Sequence, residues 1–84
     1  MWIALNNSFL SIVQNRNDSS ELLVRARVNG DIERVFPEAE TFEDLTADYR
    51  YRALIQRDLV AKALASQVSE INYDNFKNSI SKDE

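Results

Sequence analysis

Leu22-Leu23-Val24-Arg25-Ala26-Arg27-Val28 and Tyr49-Arg50-Tyr51-Arg52-Ala53-Leu54-Ile55 both alternate apolar residues with arginine. Successive side chains of a strand point to opposite faces. The first stretch therefore places Leu22, Val24, Ala26 and Val28 on one face and Arg25 and Arg27 on the other. The second sends Tyr49, Tyr51, Ala53 and Ile55 one way and Arg50 and Arg52 the other. Matched alternation predicts neighbouring or near-neighbouring strands of one sheet, with Leu22, Val24, Ala26, Tyr51, Ala53 and Ile55 facing the core. The arginines then form a cationic patch on the solvent face of a chain whose net charge is −4.

Outward from these strands, Trp2 to Leu5 and Ser8 to Gln14 read as two short strands around Asn6-Asn7, since Asn tolerates the positive φ of a tight hairpin. Asn15 to Ser20 has no apolar residue and reads as a loop. After the first arginine strand, Asn29 or Asp31 is placed to cap a short helix whose Ile32, Val35 and Phe36 share one face, and Pro37 ends it. Ala39 and Phe42 fit a weak edge strand, and Leu45-Thr46-Ala47 a turn. From Arg57 to Ile71 the period turns helical, with Val60, Leu64, Val68 and Ile71 in one stripe. Tyr73, Phe76 and Ile80 mark a last short helix behind Asn72, and residues 81–84 a disordered tail. The expected fold is α+β: an antiparallel sheet of four or five strands, a short helix between strands, and two C-terminal helices on one face. Residues 1–80 form a single domain in this reading. Trp2, Phe9, Phe36, Phe42, Tyr73 and Phe76 are assigned to the core or its margin.

The composition bounds the chemistry. An 84-residue chain with 44% apolar and 29% charged residues is globular in character. It has no cysteine and no histidine, which removes disulfides, thiolate metal sites, thiol nucleophiles and the commonest general base. No apolar run reaches the length of a bilayer span and no basic leader precedes an apolar core, so the expected setting is the cytosol, with no membrane partner.

Several words of the sequence are similar to those of a known group of proteins. They are Trp2-Ile3-Ala4-Leu5-Asn6, Phe9-Leu10-Ser11-Ile12-Val13, Leu23-Val24-Arg25-Ala26-Arg27, Gly30-Asp31-Ile32-Glu33-Arg34-Val35-Phe36-Pro37, Asp48-Tyr49-Arg50-Tyr51-Arg52-Ala53 and Tyr73-Asp74-Asn75-Phe76-Lys77. The chain resembles a family of small proteins of bacteria, phages and prophages to which no activity is attached. Members continue past the equivalent of Lys77 into a further helix, so the resemblance implies a short or shortened member. It transfers no functional residue. Gene neighbourhoods of this kind include anti-CRISPR inhibitors, which implies such a role by association alone.

Two surfaces are candidate sites. Asp31, Glu33, Glu38, Glu40, Glu43, Asp44 and Asp48 fall within eighteen positions, opposed there only by Arg34. Such a run sets up a negative field that steers a cationic protein or nucleoprotein partner, or simply solvates the surface. The alternative surface is the arginine face, with Arg25, Arg27, Arg50 and Arg52 aimed at a nucleic acid or capped by Glu38, Glu40 or Glu43. Direct nucleic-acid binding is disfavoured on two grounds: alternation turns the tyrosines toward the core, and the chain is acidic overall. Paired carboxylates at Glu43-Asp44 or Asp31/Glu33 lack a metal-loop motif, and no nucleophile elbow or phosphate loop is present. The expected function is therefore non-catalytic, without cofactor or metal: an interaction protein of phage or mobile-element type that binds a protein or nucleoprotein effector. A sheet-face nucleic-acid binder and a purely structural assembly subunit are the alternatives, and homodimerisation through a C-terminal helix fits a domain this small.

Overall fold

The computed structural model of the chain describes residues 1–71. Its elements are β1 (Trp2–Ala4), β2 (Phe9–Gln14), β3 (Glu21–Ala26), α1 (Asp31–Val35), β4 (Phe42–Glu43), β5 (Tyr51–Gln56) and α2 (Arg57–Ser69). The five strands form one antiparallel sheet in the order β1-β2-β3-β5-β4. The two arginine-bearing strands are direct neighbours, with Leu22 opposite Ile55, Val24 opposite Ala53 and Ala26 opposite Tyr51. The expected final helix Tyr73–Ile80 and tail 81–84 lie outside the described residues.

Cross-strand partners share a face, so the register sorts the sheet's side chains. Leu10, Ile12, Val24, Ala26, Ala53 and Ile55 line one face, and Ile32 and Phe36 from α1 and Val60 from α2 close over them. Both helices thus sit on the same side, and no described element covers the other side.

Local chemistry differs from expectation at two turns. The Asn6-Asn7 turn is closed by Leu5 N–H donating to the Ser8 carbonyl at 2.8 Å, and neither Asn takes a positive φ. Before α1, neither Asn29 nor Asp31 caps. Gly30, at φ 95°, is the N-cap residue without a side-chain bond, a left-handed conformation that glycine adopts at little cost. Asp31 is buried, accepts the Phe9 N–H at 3.1 Å and pairs with Arg34, tying α1 to β2.

α2 also departs from expectation. It follows β5 without a loop, and its first residue is fixed by Arg57 N–H donating to Ser20 O at 2.8 Å and Arg57 Nε donating to Ser19 O at 3.0 Å. That junction sets the helix direction, so only its early turns meet the sheet. Val60 is buried, Ala63 and Leu64 are half-buried, and Val68 is 62% exposed, with Ile71 exposed beyond it.

Candidate functional site: the open sheet face

The uncovered face is organised by one row of residues. Trp2 lies opposite Ser11, Ser11 opposite Arg25, Arg25 opposite Arg52, and Arg52 opposite Phe42. The row crosses all five strands, roughly 19 Å from four strand spacings of about 4.8 Å. Trp2 is 74% exposed at one end and Phe42 47% exposed at the other. A second row, Val13–Leu23–Leu54, lies alongside and is apolar.

Like charges directly opposed across strands repel, so Arg25 and Arg52 need relief. They find it in neutral groups. Arg25 Nη2 donates to Ser11 Oγ at 2.6 Å, burying that hydroxyl completely. The Tyr49 ring lies 5.0 Å from the Arg25 guanidinium and 4.7 Å from that of Arg27. Arg52 Nε donates to the Tyr49 carbonyl at 3.1 Å. Among the described residues, no carboxylate forms an ion pair with Arg25, Arg27 or Arg52.

Two expectations for this face are corrected. Strand geometry begins only at Tyr51, after a bend over residues 47–49, so the alternation does not extend back to Tyr49 and Arg50. Tyr49 therefore joins the arginines instead of the core. Arg50 leaves them: it pairs with Glu43 at 3.3 Å, and its guanidinium lies 5.8 Å from the ring of Tyr51, a core-side residue. The aromatic assignments divide as well. Phe36 is buried, whereas Trp2, Phe9 and Phe42 are exposed. The period of two that places Ile3 inward and Trp2 outward was present in Trp2-Ile3-Ala4-Leu5, and it is the signal that locates this end of the row.

The acidic set is scattered by the fold. Asp31 is buried and structural, and Glu43 is paired with Arg50. Asp44 accepts the Thr46 hydroxyl at 2.7 Å and the Thr46 N–H at 3.1 Å. Glu33 accepts from Thr41, and Glu38 and Glu40 are exposed. Of the seven, Glu33, Glu38, Glu40 and Asp48 are exposed and form no ion pair among the described residues.

Asp18 and Asp44 sit in equivalent turns, each accepting the hydroxyl and backbone N–H of the residue two positions on. The hydroxyl bond first, then the backbone bond, holds both carboxyls below the ordinary 3.8, with a lesser pull from Arg52 on Asp44. A lowered folded-state value means that the turn contributes above the unfolded value and loses its contribution as pH falls through the folded one. NMR titration of the side-chain carboxyls is expected to give midpoints below 3.8 for both residues; midpoints at or above it would remove the hydroxyl bonds from this picture.

No helix among the described residues is long and apolar enough to cross a membrane. Comparison of the chain with protein families, curated proteins and solved structures gave no match.

Proposed function

We propose that this protein is a non-catalytic binding module that takes a single-stranded nucleic acid across the open face of its sheet. The observation that carries the reading is the row Trp2–Ser11–Arg25–Arg52–Phe42: two opposed guanidiniums that form no ion pair with a carboxylate among the described residues, bracketed by exposed aromatic rings. Phosphates supply ion-pair partners for the arginines, and unpaired bases stack on the exposed parts of the Trp2 and Phe42 rings. The position of Tyr49 supports it further. Stacking orients the guanidiniums of Arg25 and Arg27 and lowers the entropy lost when they engage an anion. The chain's acidity does not oppose this, because Glu33, Glu38, Glu40 and Glu43 belong to the α1–β4 region and not to the row.

Fluorescence anisotropy with a labelled single-stranded oligonucleotide and its duplex tests the reading. Binding of the single strand is expected to weaken with salt at a logarithmic slope of roughly −2, from three arginine–phosphate contacts at about −0.7 each. The duplex, whose bases are already stacked, is expected to bind less well. Equal or tighter duplex binding, or no binding of either at low salt, would count against the proposal.

A further inference from the structure

We infer that the free edge of β5 is a second binding site, one that takes an extended cationic peptide as an added strand. This site is separate from the open face and does not depend on it.

The β4–β5 ladder fixes which way the edge groups point. Asp44 N–H donates to Arg50 O at 2.8 Å, and Phe42 lies opposite Arg52. Antiparallel alternation then turns the backbone groups of Arg50, Arg52, Leu54 and Gln56 toward the β4 side and those of Tyr51, Ala53 and Ile55 toward β3. Pairing with β4 covers only Tyr51 and Arg52. Leu54 N–H, Leu54 C=O and Gln56 N–H therefore point outward, and among the described residues no strand lies opposite them.

Upstream of Phe42 the chain does not continue along this edge. It swings away through a turn closed by Ala39 N–H donating to Phe36 O at 3.0 Å. The gap is a groove of about 660 Å³. Phe36, Ile55 and Leu59 give it apolar walls, Glu21, Glu38 and Glu40 stand around it, and no Lys or Arg among the described residues lines it. None of these three carboxylates forms an ion pair among the described residues.

An unpaired edge beside an apolar groove is the arrangement that strand addition uses: main-chain bonds give affinity and alternate side chains give specificity. The charge selects the occupant. An extended peptide alternating apolar residues with Lys or Arg seats its apolar side chains in the groove and brings its cations to Glu21, Glu38 and Glu40. A second copy of this chain docking edge to edge would instead oppose two acidic rims.

The test is an NMR titration of the full-length, isotope-labelled protein with a capped peptide alternating lysine and valine. Saturable shifts are expected at the Leu54 and Gln56 amides. A glutamate–valine peptide is expected to cause none, and a lysine–valine peptide N-methylated at alternate residues to bind much more weakly. Glu38→Lys with Glu40→Lys is expected to weaken binding at least about tenfold while leaving the melting curve in place, since both side chains are exposed. Arg25→Gln with Arg52→Gln is expected to leave peptide binding unchanged. Undiminished binding by the charge-reversed variant or by the N-methylated peptide would overturn the site. So would shifts confined to other strands, absence of saturable binding, or self-association through this edge.

Discussion

Leu10→Ala is expected to lower the free energy of unfolding by about 2–5 kcal/mol, the range for truncating a fully buried leucine. Leu10 is 0% exposed on β2, opposite Ile3, and belongs to the cluster that Ile32 and Val60 close. Shortening it leaves a cavity in that cluster, where close packing limits how far the neighbours collapse into the space. A domain of this size typically holds about 5–15 kcal/mol in total, so the loss is a large share of what keeps it folded. Leu64→Ala makes the contrast. Its half-buried position on α2 predicts a cost of only about 1 kcal/mol. Urea denaturation of the two variants measures the difference. Equal costs would mean that α2 is held along its whole length instead of by its first turns.

Arg25→Gln combined with Arg52→Gln is expected to weaken single-stranded oligonucleotide binding roughly a hundredfold or more, because hydrogen bonds to charged groups contribute about 1.5–3 kcal/mol each. Stability is expected to change by no more than about 1 kcal/mol. The substitutions lose the Ser11 and Tyr49 contacts, but they also remove two like charges held directly opposite each other. The salt slope provides a separate readout. With only Arg27 left, it is expected to flatten from roughly −2 to about −0.7. Anisotropy across a salt series measures both effects, and a slope unchanged in the double variant would move the phosphate contacts elsewhere.

The fold was legible where alternation was clean. Leu22, Val24 and Ala26 face Ile55, Ala53 and Tyr51 across one register, as the two arginine-bearing stretches require. Legibility ended at Tyr49, because a bend that ends two residues before the strand resets the alternation and nothing in Asp48-Tyr49-Arg50 marks where that happens. The run Phe9-Leu10-Ser11-Ile12-Val13 was opaque for another reason. It carries apolar residues on both faces, so Phe9 and Val13 look like core although only Leu10 and Ile12 are buried among its large side chains. The α2 stripe overstated the lid, since a helical period gives the direction of an apolar face but not how far the helix stays against its sheet. Asp31 was read with the surface carboxylates because sequence proximity does not distinguish a carboxylate that solvates a surface from one that a backbone N–H and an arginine hold inside.

The measurement that bears most directly on the open face is the fluorescence of Trp2, the chain's single tryptophan, during titration with a single-stranded oligonucleotide. Trp2 stands exposed at one end of the arginine row, so a base stacked on it is expected to quench its emission in step with binding. Trp2→Ala is expected to weaken binding by about 1–3 kcal/mol, the usual worth of one stacked base. Saturable quenching that weakens as salt rises would support a single strand on the row. Oligonucleotide binding that leaves Trp2 emission unchanged, or no binding at low salt, would contradict it.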